Sequence, residues 1–485
     1  MTRTLDKLYD GLPTGHFIGG EWHVGNTDLP VENPATGAVI ATVADGGPDT
    51  AAIALDAAVA AANDWAATDP RTRSDILMKA FHLLHERAHR IAQILTLEMG
   101  KPLAEARGEV VYGAEFLRWF AEQCVQAGGE YFRAPTGGQR ILVTKQPVGP
   151  VLAITPWNFP LAMVTRKVAP ALAAGCTIVL KPASQTPLTA LELMRVFQDA
   201  GVPAGVVNCV TTSRSAAVAT TIITDERLRK LTFTGSTGVG RKLLAQASER
   251  ILRTSMELGG NAPFVVLASA DLDKAVAGAL AAKMRNGGQA CVAANRFLVH
   301  DSLAVEFAER LTAAMSALRM GDGMDPATAL GPLIDRAAVD QMHWLIEDAV
   351  ARGARVHSTA ELPDSPGHFV RPVVLTKIDP KAQVWREEIF GPIAPVRAFS
   401  DIDEALALAQ DTESGLAAYV FGEKLGETMN FAEGLQSGMV GINTGIISDP
   451  AAPFGGVKAS GLGREGGSTG LDEYLETKYL ALRLS

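Results

Sequence analysis

Cysteine is scarce in this chain of 485 residues, with four in all: Cys124, Cys176, Cys209 and Cys291. They form no CxxC pair and share no metal-type spacing with histidine, which excludes a zinc framework and a disulfide scaffold read from sequence. No metal is expected, and a reducing compartment fits best. A basic surplus is also missing. Lys and Arg total 44 against 53 Asp and Glu, a net charge of −9 with both signs mixed along the chain. Without a basic stripe to neutralise phosphates, a nucleic-acid partner is excluded, whereas an anionic small molecule needs only a few placed arginines. No uninterrupted apolar run reaches the roughly 18 residues of a membrane span. The beginning, "MTRTLDKLYDGLPTGHFIGG", carries no apolar core of a secretion signal. These absences lead us to expect a cytoplasmic protein with no membrane partner.

What is present is ordinary globular material, 47% apolar and 20% charged, in a chain long enough for more than one domain. Residues 49 to 128 read as successive helices. "PDTAAIALDAAVAAANDWAA" and "PRTRSDILMKAFHLLHERAHRIAQILTLEMG" carry apolar residues three and four apart, with Pro70 at a helix start and Gly100 at an end. From Val148 the texture changes. Short β-rich runs ("VLAIT", "TIVLKP", "VVNCVT", "KLTFTG") alternate with helical segments, the pattern of a parallel sheet covered on both faces. A second α/β series runs from about 260 to 445. "GGEYFRAPTGGQRILVTKQP" (128–147) and "YLETKYLALRLS" at the end fit neither series. They read as exposed strands needing a partner, either another subunit's sheet or the chain's own body.

Several strand ends carry chemistry. "KPAS" puts Lys181 and Ser184 at a strand exit, and "TGSTGVG" opens a helix with Gly235 and Ser236, whose amides suit a phosphate. A glycine-rich turn is the plainer account of the second. If the ligand is a dinucleotide, serine at 184 beside Lys181 tolerates a 2′-phosphate that a carboxylate would repel, favouring NADP over NAD. Cys291, in "GGQACVAANR", lies at a helix-to-strand junction that can expose a thiol to a cleft, unlike the other three cysteines. Glu257, in "SMELGGN", ends a strand and could activate water if burial raises its pKa, or could form a salt bridge. Asn158, in "TPWNFP", could stabilise an oxyanion or cap a helix.

Taken together and in this order, "TPWNFP", "KPAS", "FTGST", "ELGGN", "GQAC", "EEIFGP" and "PFGGVKASGLGREG" resemble the aldehyde dehydrogenase superfamily over essentially the whole chain. "ITPWNFPLAMVTRKVAPALAAGCTIVLKPASQTP" and "GINTGIIS" are similar to its branch acting on succinate semialdehyde, usually NADP-linked in bacteria. The resemblance implies an α/β fold with a Rossmann-like cofactor domain (1–127 and 148–258), an α/β catalytic domain (259–445), a β oligomerisation arm (128–147 and 471–485) and a loop region near the active site (446–470). It implies Cys291 as nucleophile, Glu257 as the base that activates the deacylating water, and Asn158 as oxyanion donor with the Cys291 amide. Trp157, Lys181, Ser184, Gly235, Ser236, Glu388 and Phe390 would hold NADP, or NAD. Arg166, Arg285 and Ser448 would bind the far carboxylate of the substrate, and a homodimer or homotetramer is expected.

One methylene more, as in glutarate semialdehyde, is poorly discriminated by any pocket and stays open as an alternative. A silent nucleotide-binding relative is countered by the joint presence of Cys291, Glu257 and Asn158. An enzyme passing its acyl group to coenzyme A is countered by Glu257. In the family it resembles, several close relatives carry a second cysteine two residues after the nucleophile, and here that position is Ala293.

Overall fold

Pro48 and Pro70 open consecutive helices, Pro48–Ala67 and Pro70–Glu86, in a first turn where the missing N–H has no intrahelical partner to lose. The computed structural model describes residues 11–25 and 28–483. The first ten and last two residues of the expected cofactor domain and arm, and half of the stretch read for a signal, lie outside them. The long helix expected over 70–100 is in fact two, Pro70–Glu86 and Ala88–Met99, parted at Arg87 (φ −96°, ψ 4°). Neither proline nor glycine causes the break. Arg87 ion-pairs with Asp199 at 2.6 Å, and the turn lets every residue from Ile94 to Met99 be buried.

Gly100 ends the second helix at φ 92°. A Cβ there would lie 2.7 Å from Pro332 and 2.8 Å from Pro34. Gly100→Ala should therefore combine roughly 1–2 kcal/mol of left-handed backbone strain with about 1–3 kcal/mol of overpacking. A thermal midpoint equal to that of the parent would show that both prolines yield.

The alternating segments build a sheet in the order Gly461–Leu462, Arg253–Glu257, Lys230–Thr234, Val151–Ile154, Ile178–Lys181, Val207–Cys209, His16–Ile18 and Glu21–His23. Its five central strands are parallel. The parallel part begins at Val151–Ile154, winds one way to Val207–Cys209, then returns to Lys230–Thr234 on the other side. That reversal opens a crevice at the carboxyl ends of Val151–Ile154 and Lys230–Thr234, the general ligand position in such sheets. Gly461–Leu462, within the expected loop region, adds an antiparallel edge beside Glu257.

The second sheet runs Arg355–His357, Val373–Thr376, Ile393–Phe399, Ala294–His300, Ala262–Val266, Ala417–Phe421 and Met439–Ile442, parallel apart from its first strand. Its amino ends meet the carboxyl ends of the first sheet. Cys291 precedes one of its strands and Glu388 another. The two stray β segments find each other. Leu475–Leu482 pairs antiparallel with Arg140–Pro147 over eight residues, and Glu130–Arg133 completes a three-stranded sheet. The tail's partner is thus a strand of its own chain. Tyr131, Phe132, Tyr479, Leu480 and Leu482 stay exposed on that sheet.

Candidate active site

Eight of the sequence-selected residues line one cavity of about 220 Å³: Trp157, Asn158, Gly235, Ser236, Glu257, Cys291, Glu388 and Phe390. They come from five separate segments, and the crevice at the sheet reversal is what gathers them. Lys230–Thr234 and Arg253–Glu257 are neighbouring parallel strands with Thr234 opposite Glu257. Their shared carboxyl ends therefore deliver Gly235, Ser236 and Glu257 together. Gly235 donates its amide to the Glu257 carbonyl at 3.0 Å. Any side chain at 235 would collide with the Phe233 ring, at 2.5 Å, which accounts for glycine. Ser236 caps the Thr237–Ser248 helix, so the turn points amide hydrogens and the helix's positive end at the crevice.

Asn158 is not a helix cap: Leu161 holds that position before Ala162–Ala174. Its Oδ1 accepts from Phe159 N (3.1 Å) and its Nδ2 donates to Gln289 O (3.0 Å). Both contacts fix the amide orientation and leave one N–H of Nδ2 free. Its carbonyl accepts from Lys101 Nζ (2.7 Å) and Asn286 Nδ2 (3.0 Å). Lys101 in turn forms a buried pair with Glu109 at 2.6 Å, and Glu109 Oε1 accepts from Leu161 N at 2.9 Å. Asn286 belongs to the 3₁₀ turn Arg285–Gly288 and itself has φ 54°. The oxyanion candidate and the loop carrying Cys291 are thus tied to one another.

Glu257 is buried, and neither carboxylate oxygen has a hydrogen-bond partner. The salt-bridge alternative is not realised. Burial, then the negative charge of Glu465, pushes its carboxyl well above the usual range, with Lys167 and Arg166 opposing. Cys291 is half-buried. Burial pushes its thiol up to about 12, against the pull of Arg166. The other three cysteines are buried fillers. Ala293 packs with Phe159, Ala162, Met163 and Ala290.

Glu388 Oε1 accepts from Gly260 N at 3.1 Å, and burial raises its carboxyl to about 7. Phe390, at φ 54°, sets its ring edge-on to Trp157 at 5.4 Å. A bulky residue held in left-handed backbone is the kind of strain found at functional sites. Lys181 and Ser184 lie outside this cavity, at the exit of the neighbouring strand. Lys181 Nζ is buried and donates to Ser215 Oγ at 2.8 Å. It makes no ion pair among the described residues, and burial lowers it to about 8. An unpaired buried cation beside a serine rather than a carboxylate fits a phosphate.

Arg166 and Arg285 converge on one ring. Their guanidinium carbons lie 5.8 and 5.6 Å from the centre of Tyr112, and Arg285 is 4.9 Å from the centre of Phe159. Arg166 is buried over Phe454 at 4.0 Å and faces Glu465 at 3.5 Å, so it is no surface residue. Ser448 is half-buried in the segment after Met439–Ile442. Several neighbours escaped the sequence reading: Tyr112, Lys101, Glu109, Lys167, Gln289 and Glu465. The motif "PFGGVKASGLGREG" contained Glu465 but gave it no role.

Residues 22–480 match the model of the aldehyde dehydrogenase family. A succinate-semialdehyde dehydrogenase of Paenarthrobacter nicotinovorans is 54% identical over 92% of this chain and 99% of its own. A glutarate-semialdehyde dehydrogenase of Pseudomonas putida is 48% identical over 96% and 97%. The crystal structure of an Escherichia coli NADP-dependent enzyme superposes with a TM-score of 0.96 at 48% identity, covering 99% of each chain. The sequence motifs, the sheet reversal that assembles the cavity and these likenesses agree, and the chain belongs to the aldehyde dehydrogenase family.

Proposed function

We propose that this protein oxidises succinate semialdehyde to succinate with NADP. The observation that carries the substrate is the pair of arginines flanking Tyr112, next to a cavity lined by Cys291, Glu257 and Asn158. A thiol, a base and an oxyanion donor suffice for any aldehyde. Two cations at its edge select one with a distal carboxylate, each charge-assisted hydrogen bond contributing roughly 1.5–3 kcal/mol.

Cys291 Sγ attacks the aldehyde carbon, and its proton passes to a base. The oxygen that becomes negative takes the free N–H of Asn158 and the Cys291 main-chain amide. When bound, oxidised NADP would supply the hydride acceptor, and loss of hydride from the adduct leaves a thioester on Cys291. Glu257, unpaired and facing the same cavity, takes a proton from the water that hydrolyses the thioester and releases succinate. Lys181 and Ser184 would hold the 2′-phosphate, the amides around Gly235 and Ser236 the pyrophosphate, and Glu388 the nicotinamide ribose. Trp157 and Phe390 pack beside that end.

The two large sheets act as cofactor-binding and catalytic units with the boundaries expected above. The three-stranded sheet, with exposed apolar side chains on both faces, is the surface for a homodimer or homotetramer. No described helix is long and apolar enough to cross a membrane, and four unpaired cysteines agree with a cytoplasmic setting. The likeness to the Pseudomonas putida enzyme supports glutarate semialdehyde as the second reading.

Arg285→Ala should raise KM for succinate semialdehyde at least about tenfold and leave KM for butanal nearly unchanged. Equal effects on the two aldehydes would remove the clamp. In the same assays glutarate semialdehyde measures chain-length preference, and an NADP over NAD advantage in kcat/KM tests Lys181 and Ser184.

A further inference from the structure

Tyr112 is shared by the two arginines on which substrate choice rests in the proposed function, its ring centre 5.8 Å from the Arg166 guanidinium carbon and 5.6 Å from that of Arg285. It sits in the Leu103–Cys124 helix, within "EVVYGAEF", a stretch with no motif. Phe116, one turn on, meets its ring edge-on at 5.1 Å, and the ring also packs against the cluster of Phe159, Ala162, Met163, Ala290 and Ala293 beside Cys291. Its side chain is half-buried, and Met163, in the cluster it packs against, lines the cavity.

The hydrogen bonding gives the hydroxyl a direction. Arg166 Nη2 donates to the Tyr112 oxygen. A phenol that accepts in this way still has its own proton to donate. Arg166 is itself underused. Its guanidinium has five N–H donors, yet Nε has no hydrogen-bond partner, its Glu465 neighbour is at 3.5 Å, and Nη1 reaches only Met163 Sδ at 4.0 Å. Arg285 pairs with no carboxylate among the described residues, and packs on aromatic faces instead. Two cations with spare donors and a phenol with a free proton, all centred on one ring, form a receptor for an anion with several acceptor oxygens.

We infer that Tyr112 is a substrate-binding residue. Its hydroxyl donates a hydrogen bond to the distal carboxylate held between Arg166 and Arg285, and its oxygen holds the Arg166 fork in position. The inference rests on the semialdehyde reading and adds a second neutral donor to the set Arg166, Arg285 and Ser448. A neutral donor contributes without adding charge at a mouth where Arg166 already opposes Glu465. It also sets how deep the carboxylate sits, and with it the preferred distance between carboxylate and aldehyde.

Tyr112→Phe keeps the ring, its packing on Phe116 and Phe159 and both cation–ring contacts, removing only the oxygen. With succinate semialdehyde, KM should rise about tenfold with kcat within a factor of two. The inhibition constant of succinate should rise in parallel, and butanal kinetics and the thermal midpoint should stay at parent values. A purely structural tyrosine would lower kcat for butanal and succinate semialdehyde alike, and that outcome overturns the inference. So does an unchanged KM. Arg285→Ala run alongside separates the two levels. If Arg285→Ala discriminates the charged from the neutral aldehyde and Tyr112→Phe does not, Tyr112 has no part. If neither discriminates, the semialdehyde reading itself falls.

Discussion

Glu257→Gln should produce about one equivalent of reduced cofactor per site in a rapid burst and then nearly stop. In the proposed cycle Glu257 acts after hydride loss, when water must attack a thioester, and a glutamine cannot take the proton. General-base contributions of this kind run to roughly 10²–10⁴-fold, so the steady-state rate should fall by about that factor. The substitution is close to isosteric, and the native oxygens make no hydrogen bond, so no structural partner is orphaned. Acid quench and mass spectrometry should find the acyl group on Cys291. Absence of the burst would place Glu257 in the first half of the cycle as well.

The surroundings of Glu257 also fix the sign of its pH dependence. Burial and Glu465 hold the carboxyl well above its ordinary value, so the protonated form dominates at the acid end. A general base works only when deprotonated. Hydrolysis should therefore speed up as pH rises through that raised value and level off above it, and the glutamine variant should lose this limb. Lys167 bonds to Glu465 and to Thr232 Oγ1, so it moderates the shift without touching Glu257. A turnover rate flat from mildly acid to alkaline pH, with hydrolysis limiting, would contradict this account.

Sequence was most informative where chemistry is local. Cys291, Glu257 and Asn158 each stand in a short motif, and the alternation of strand and helix placed Gly235 and Ser236 at a strand exit. The parts it left unread depend on contacts between distant segments. The break at Arg87 is held by an ion pair to Asp199, 112 residues away, and helical periodicity cannot register such a partner. Lys101 and Glu109 have no motif of their own. They matter because Lys101 reaches the Asn158 carbonyl and Glu109 caps the following helix. Tyr112 and Arg166 meet across 54 residues. The tail read clearly as a strand in need of a partner, but its match to Arg140–Pro147 is set by the return of the chain past Val148, where Val148 N donates to Tyr474 O at 3.0 Å.

Cys291→Ala should lower kcat by more than about four orders of magnitude, as loss of a nucleophile does when the rest of the machinery depends on it. Without the thiol no covalent adduct forms, and the aldehyde remains a poor hydride donor in an otherwise intact cavity. Cofactor affinity should be unchanged. Resting reactivity is a sharper test than the lost turnover. Burial pushes the thiol up to about 12, so in the cofactor-free protein it is almost wholly protonated at neutral pH. Iodoacetamide should label Cys291 more slowly than a free cysteine, and faster as pH rises. Labelling faster than free cysteine at pH 7 would mean the resting site already holds a thiolate. Oxidation follows the same geometry. Residue 293 is alanine, and Cys124, Cys176 and Cys209 are buried in another cluster. Peroxide should drive Cys291 to sulfenic and then irreversible sulfinic acid with no intramolecular disulfide to intercept it. Inactivation fully reversed by thiol, with a bridge mapped to Cys291, would show that another cysteine reaches the site.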